Sequence, residues 1–159
     1  MDRRTFIKNM VAVSVAAGIP GTVRAAERYF PVKVDQSLFE GINRVKNPKA
    51  KTPLEKGHGP VFSAPASVKA GEPFVVEVSV GEKLHPMGSS HWIEYIDLNI
   101  GNEPAGVATL QSSGYLKPRV AFTVVIPKEA APSGKVTLVA RQHCNLHGLW
   151  EGSLDIAVT

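Results

Sequence analysis

Runs of alternating apolar and polar residues dominate the chain after residue 66. In the clearest run, Val76, Val78 and Val80 occupy every second position. Five such runs occur, at 74–80, 92–100, 120–126, 136–140 and 154–158. A period of two residues with many β-branched side chains is typical of β-strands. The sequence therefore predicts five strands in this part of the chain.

Turn-forming residues separate these runs. Clusters of Gly, Pro, Asn and Ser lie at 70–73, 101–104 and 127–134. Two weaker strands, near Val61 and Val107, bring the expected number to about seven. The 14 glycines and 12 prolines agree with an all-β domain that is rich in turns. We therefore predict an all-β fold, an immunoglobulin-like antiparallel β-sandwich.

The segment before the strands has a different character. Residues 27–60 are rich in Lys, Pro and Gly and show little periodicity, apart from one short helical turn expected around Leu38 to Ile42. Loops of this length are usually functional or disordered. We interpret residues 27–65 as a long N-terminal arm that forms one domain with the sandwich at 66–159.

The first 26 residues are typical of an export signal. A charged start is followed by the apolar run Met10–Ile19 and by the small residues Ala25 and Ala26. The arginine pair at 3–4 resembles the twin-arginine (Tat) pattern of bacterial export. The alternative, an amphipathic N-terminal helix, is disfavoured because the Val/Ala-rich run has no polar face. This predicts a signal peptide over 1–26 and a periplasmic or otherwise Tat-exported protein.

Charge and composition exclude several classes of protein. The formal charge of +4 falls to +1 without residues 1–26, which hold four basic residues and one acidic residue. A strongly basic, nucleic-acid-binding surface is therefore not expected. No run of 18 or more apolar residues occurs, so no membrane-spanning helix is predicted. The single cysteine excludes an intrachain disulfide.

All histidines and the cysteine fall in turns or at strand ends. They are His58, His85, His91, His143, Cys144 and His147. A Cys-x-x-His spacing lets a thiolate and an imidazole bind one ion from a single turn, and Gly148 permits the chain to reverse. The alternative is a free buried cysteine beside an exposed histidine. An exported protein would expose a single unpaired thiol to oxidation. Its presence therefore favours the interpretation that the thiolate is protected by a bound metal.

The other histidines allow two interpretations each. His85 and His91 flank a loop that can fold back and direct both imidazoles at one point, or they are solvated loop residues. His58 alone is more typical of a solvated loop residue. The absence of a Cys-x-x-Cys pair excludes a zinc site with several thiolates. Several imidazoles with one thiolate suit iron or copper better than zinc.

Two other functions fit parts of this pattern. A cupredoxin-type electron carrier needs two His, one Cys and a weak axial Met, but no Met follows His147 and only Met87 is a candidate. A non-catalytic carrier module would need its cysteine on a mobile tail, whereas a predicted strand follows Cys144. Metal analysis separates these alternatives from an iron enzyme.

Three ordered motifs resemble those of the superoxide reductases, which comprise neelaredoxin and the catalytic domain of desulfoferrodoxin. The stretch from His85-Pro86 to His91 is similar to the central motif of that family, and residues 144–151 match its C-terminal motif almost letter for letter. The Glu55-Lys56 pair before His58 resembles its N-terminal active-site loop. The resemblance covers roughly residues 38–158.

This resemblance implies a specific metal site and reaction. It implies one mononuclear Fe²⁺/Fe³⁺ centre on an immunoglobulin-like sandwich, which reduces superoxide to hydrogen peroxide at an open coordination position. Cys144 is implied as the axial thiolate. The implied equatorial ligands are His58, His85, His91 and His147. His143 matches no ligand of the family and is expected to lie outside the iron ligands.

The resemblance also assigns two charged residues. Glu55 is expected to occupy the open position in the resting ferric state, and Lys56 to supply positive charge to an anionic substrate. The commoner family loop places the lysine directly before the histidine, whereas Gly57 intervenes here. From the turn itself, the backbone N–H groups of Asn145 and Leu146 are expected to donate hydrogen bonds to the thiolate.

The partners implied are superoxide and an external electron donor. The chain lacks the four-cysteine iron domain of desulfoferrodoxin, so the resemblance is to the one-iron form. A rubredoxin-like protein or a periplasmic cytochrome is the implied donor. Similar single-iron proteins form tetramers, which makes a homo-oligomer the expected assembly.

Overall fold

The computed structural model describes residues 35–159, and the signal peptide predicted at 1–26 lies outside them. The strands of this part are β1 (Ile42–Asn43), β2 (Pro60–Ser63), β3 (Ser67–Val68), β4 (Pro73–Val80), β5 (Ile93–Ile100), β6 (Glu103–Thr109), β7 (Arg119–Val125), β8 (Lys135–Cys144) and β9 (Gly148–Val158). The helices are α1 (Pro53–His58) and two 3₁₀ turns, Gln36–Phe39 and Lys128–Ala130. Within residues 35–159, no helix has the length and apolar character needed to cross a membrane.

The strands form two sheets. The larger sheet has the order β1-β9-β8-β5-β6, with β3 also paired to β9, and the smaller has the order β2-β4-β7. All pairings of the longer strands are antiparallel. Fully buried residues of both sheets, such as Val78 and Leu138, belong to one hydrophobic cluster. The predicted all-β antiparallel sandwich is confirmed.

The predicted strands correspond to the seven longer ones, with one informative difference. The run predicted at 136–140 is the middle of β8, which continues to Cys144. Gln142 occupies an inward position of this strand and is fully buried. A polar residue at that position interrupts the apolar alternation. The pattern therefore does not predict the last residues of the strand, up to Cys144.

A β-bulge in β5 places its first residues against the Cys144 end of β8. The pairing steps from Ile93 opposite Cys144 to Tyr95 opposite His143, so β5 holds one extra residue there. The bulge lets Ile93 and Ile96 both be fully buried although they are three positions apart. Consequently, Ile93 lies beside Cys144 in the sheet, and both are fully buried.

Candidate metal centre

Five side chains from three separate segments converge on one point. The candidate ligand atoms of His58, His85, His91, Cys144 and His147 all lie within 4.8 Å of one another. The segments are α1, the β4–β5 loop and the β8–β9 turn. These are the five residues that the sequence resemblance proposes as iron ligands. Their ligation itself stays a prediction.

The four imidazoles form a ring around this point. Nε2 of His85 lies 3.2 Å from Nε2 of His58 and 3.0 Å from Nε2 of His91, and Nδ1 of His147 lies 3.1 Å from Nε2 of His91. Neighbouring rings are inclined by 67°, 82°, 74° and 70°. The opposite pair, His58 and His91, is 6.0 Å apart between centroids. Each ring thus directs one nitrogen at the same centre.

The helix α1 presents His58. Thr52 begins the helix with a capping box, in which its side chain accepts from the Glu55 N–H and the Glu55 carboxylate accepts from the Thr52 N–H. Nδ1 of His58 lies 2.8 Å from the carbonyl oxygen of Leu54. Because a carbonyl only accepts, Nδ1 carries the proton and Nε2 keeps a free lone pair.

The β4–β5 loop supplies His85 and His91. Nδ1 of His85 donates to the carbonyl oxygen of Pro86 at 2.7 Å, which again leaves Nε2 free to bind a metal. The Gly88 N–H donates to the His91 carbonyl at 2.9 Å and closes the loop. At the start of the loop, Gly81 N–H donates to Gly59 O at 3.1 Å. The loop is thereby attached to the end of α1.

The β8–β9 turn supplies the thiol and the fourth imidazole. Sγ of Cys144, which is fully buried, lies 3.5 Å from Nδ1 of His147 and 3.8 Å from Nε2 of His85. Burial raises the pKa of the Cys144 thiol, while hydrogen bonds from the Leu146 and His147 N–H groups act in the opposite direction. A bound cation favours the thiolate further.

Only one of the two backbone N–H groups expected to donate to the thiolate does so. Leu146 donates as expected, but the Asn145 N–H instead donates to the Trp92 carbonyl at 3.2 Å. The side chain of Asn145 accepts from the Trp92 N–H at 2.9 Å and donates to the Ser90 carbonyl at 3.0 Å. Asn145 therefore attaches the cysteine turn to both residues that flank His91.

Burial keeps the imidazoles neutral. Together with a smaller effect of the neighbouring imidazoles, it lowers the pKa of His58 and of His85 to about 4. Burial also lowers the pKa of His91 and of His147. Neutral imidazoles are the form that binds a metal ion.

The two charged residues expected at the site lie outside this cluster. The Glu55 carboxylate accepts from the N–H groups of Lys46 at 2.9 Å and Thr52 at 2.7 Å, and these bonds lower its pKa. Lys56 is exposed and precedes His58 by two positions. Two positions correspond to about 200° around a helix, so the Lys56 and His58 side chains leave α1 on nearly opposite sides.

Lys56 shares a surface cleft with a second lysine. The cleft has a volume of about 450 Å³ and is lined by Pro53, Lys56, Gly57, Glu82 and Lys83. The extra Gly57 is therefore part of this cleft. Glu82 pairs with Lys51 at 3.0 Å, and within residues 35–159 no ion pair joins it to either cleft lysine.

His143 lies apart from the five converging residues. It is on the face of β8 opposite to Cys144, with Nδ1 2.7 Å from Oε2 of Glu94 and with its ring stacked on Tyr95 at 5.9 Å. This agrees with the expectation that it is not a ligand.

The donor set fits one iron ion. Four neutral imidazole nitrogens and one sulfur converge on one point, and carbonyl hydrogen bonds orient His58 and His85; such donors suit a first-row transition metal. A cupredoxin-type site is not supported, because four imidazoles rather than two converge with the thiol, and Sδ of Met87 accepts from the Ile93 N–H at 3.4 Å. The fully buried Cys144 is also unlike a carrier cysteine on a mobile tail.

Comparisons with known proteins agree with this site. The sequence model of the desulfoferrodoxin family matches residues 49–153. A Methanocaldococcus jannaschii protein, named as a candidate superoxide reductase, is 36% identical over 116 residues, which are 73% of this chain and 93% of that protein. The Pyrococcus horikoshii superoxide reductase is 31% identical over 93 residues, or 55% of this chain and 79% of the relative.

A solved structure supports the same assignment. The superoxide reductase (neelaredoxin) of Ignicoccus hospitalis superimposes with a TM-score of 0.62 at 33% identity, covering 80% of this chain and all (100%) of that chain. The family match includes all five converging residues and α1. The chain belongs to the desulfoferrodoxin family.

Proposed function

We propose that this protein is a superoxide reductase. The reaction takes one electron and two protons to convert superoxide to hydrogen peroxide: O₂•⁻ + e⁻ + 2H⁺ → H₂O₂. The observation that carries the proposal is the ring of four imidazoles with one thiol beside it, all within 4.8 Å. The relatives and solved structures named superoxide reductase support the same reaction.

Five residues would hold the iron: His58, His85, His91, Cys144 and His147. When bound, a ferrous ion supplies the electron for the reduction. Cys144 is fully buried, whereas His91 and His147 are partly exposed. Superoxide therefore approaches the circle of four imidazoles from its exposed side, opposite to the sulfur. Leu146 and His147 stabilise the thiolate with their N–H groups.

Charged residues near α1 act before and after the chemical step. Lys56 attracts the superoxide anion, since a cation beside an open site raises the rate of encounter. Lys83 lines the same cleft and contributes to the same positive potential. With iron bound, the Glu55 carboxylate would occupy the open position in the ferric state, for which it would have to leave the N–H groups of Lys46 and Thr52.

Export, electron supply and assembly complete the proposal. The Tat-like leader predicts cleavage after Ala25 or Ala26 and a periplasmic protein. The electron donor is then a periplasmic cytochrome or a rubredoxin-like protein, and the assembly is a homo-oligomer, for which the tetramer of similar proteins is the pattern. Replacement of the arginine pair at 3–4 by lysines should block export of the folded protein. Normal periplasmic levels of that variant would refute the Tat assignment.

Metal analysis and superoxide kinetics test the proposed activity. Protein purified without added metal should contain one iron per chain, and the oxidised form should show a visible thiolate-to-iron absorption band. Pulse radiolysis of the reduced protein should yield hydrogen peroxide without release of O₂. Cys144→Ser is the matched control and should lack the band. Copper in place of iron, or equal amounts of O₂ and peroxide, would overturn the proposal.

A further inference from the structure

Gln142 is a buried polar residue whose side chain is connected to the backbone of a metal-binding residue. It lies two positions before Cys144 on the same inward face of β8 and has no exposed surface. We infer that Gln142 is a positioning residue that holds His58 in place relative to Cys144. The inference rests on the proposed iron site.

The contact between Gln142 and His58 joins two elements. Nε2 of Gln142 donates to the carbonyl oxygen of His58 at 2.9 Å, and both residues are buried. This carbonyl belongs to the last residue of α1, whereas Gln142 belongs to β8. The hydrogen bond therefore connects the helix that presents His58 to the strand that presents Cys144.

A neighbour of Gln142 holds the ring of the same histidine. Trp150 lies directly opposite Gln142 in the pairing of β8 with β9. Its indole stacks on the His58 imidazole, with centroids 5.4 Å apart and an angle of 25° between the planes. Two adjacent residues of the sheet thus hold His58. Gln142 binds the His58 backbone, and Trp150 packs against the His58 ring.

The orientation of the Gln142 amide has an energetic cost. The opposite orientation would place two oxygens 2.9 Å apart, so the NH₂ group must face His58 and Oε1 must point away. Among residues 35–159, Oε1 of Gln142 is the one buried side-chain N or O atom without a hydrogen-bond partner. A buried carbonyl in this state destabilises the fold.

This cost separates a role in the site from a role in packing. The other inward residues of β8, such as Leu138 and Ala140, are apolar and equally buried. An apolar residue at position 142 would remove the unsatisfied oxygen, but it would leave the buried His58 carbonyl without its donor. Departures from the optimal choice for packing concentrate at functional sites. The amide is therefore explained by what it does for His58.

The test replaces Gln142 by Met, an unbranched apolar residue of similar length. The purified full chain is freed of metal, and Fe²⁺ and Co²⁺ are titrated under anaerobic conditions. We expect about tenfold weaker binding of both ions, as is typical when a residue that supports a metal ligand is removed. The thiolate-to-Co²⁺ absorption band should also shift. The unfolding midpoint of the metal-free variant should fall only slightly, because removal of the unsatisfied oxygen partly offsets the loss of the donor to the His58 carbonyl.

Two further variants keep the inference falsifiable. Leu138→Met changes the same face of β8 four positions further from Cys144 and should leave both affinities and the band as in the parent. Gln142→Leu provides a second apolar replacement if the Met variant does not fold, with the same result expected. Metal affinity and spectrum equal to those of the parent, or equally altered in Leu138→Met, would overturn the role of Gln142. A parent that binds no Fe²⁺ and shows no thiolate band would instead refute the proposed function.

Discussion

The backbone of Gly148 lies directly against the carbonyl oxygen of Leu38, and a Cβ atom at this position would collide with that oxygen. Asn43 reinforces the contact, because its side-chain amide donates to Leu38 O at 2.8 Å and to Leu149 O at 3.0 Å. The N-terminal arm thus closes over the turn that carries Cys144 and His147.

We expect Gly148→Ala to destabilise the protein through this contact. Gly148 has φ +70°, which costs a residue with a side chain about 1 kcal/mol, and the collision with Leu38 adds to that. Gly71→Ala is the matched control, since Gly71 has φ +78° but nothing within 4 Å of the added Cβ. Urea unfolding should show a larger loss for Gly148→Ala. Equal losses of unfolding free energy in the two variants would mean that the arm moves away from the added Cβ at no cost.

Asn145 gives a second prediction about positioning. Asn145→Ala removes the acceptor of the Trp92 N–H and the donor to the Ser90 carbonyl, which frees the segment on both sides of His91. We expect loss of about 1–3 kcal/mol in the free energy of unfolding, and weaker Fe²⁺ binding. Asn145→Asp keeps only the acceptor and should lose less. Fe²⁺ titration as tight as in the parent would show that the clamp does not position His91.

The sequence predicts the sandwich well and the site only through resemblance. The long strands follow from alternation, but the bulge that brings Ile93 opposite Cys144 lies inside an unbroken alternating run and has no signal there. The helix α1 was expected as loop because its six residues show no period. Its sequence signal is the T-x-x-E capping box from Thr52 to Glu55, with Pro53 at the first helical position.

The convergence of the histidines needed more than spacing. His58 is 27 residues from His85 and 56 residues separate His91 from His147, so no local pattern brings them together. The order of three motifs supplied the ligand set. Gln142 lies in none of these motifs. In the sequence, a polar residue after an apolar alternating run indicates only that the strand ends, so its burial is not predicted.

Acid should destabilise the metal-free protein. In the folded state burial lowers the pKa of His58 and His85 to about 4, from an ordinary value of 6.5. Between these values the unfolded chain binds protons that the folded chain does not, so the free energy of unfolding decreases as pH falls from 6.5 towards 4. Urea titrations of metal-free protein across this range would measure the slope. His58→Gln should reduce it, and an unchanged slope would contradict the assignment.

Glu55 has two roles that one pair of variants separates. Its carboxylate caps α1, and in the proposed enzyme it also occupies the open position of the ferric site. Thr52→Ala removes the capping partner but keeps the carboxylate, and should destabilise the protein by about 1 kcal/mol. Glu55→Ala should do the same and also change the ferric absorption spectrum. A ferric spectrum unchanged in Glu55→Ala would restrict this residue to the cap.

The cleft lysines should control how fast superoxide arrives. Lys56 and Lys83 line one cleft beside α1, and a cation near an open metal site attracts an anion before any bond forms. Lys56→Ala should lower the second-order rate constant with superoxide and weaken its dependence on ionic strength, because screening acts on the same attraction. The iron spectrum should stay nearly unchanged, since lysine is not a ligand here.

Two matched variants decide which charge acts. Lys135→Ala removes the same charge at the opposite end of β8, about 30 Å along the strand from Cys144, and should leave the rate constant unchanged. Lys83→Ala removes the second cation of the cleft. Because Lys56 leaves α1 on the side away from His58, Lys83 is the cleft cation with which it has to be compared. Pulse radiolysis at low salt measures all three. If Lys56→Ala reacts at the parent rate while Lys83→Ala is slower, the insertion of Gly57 has moved the steering charge from Lys56 to Lys83.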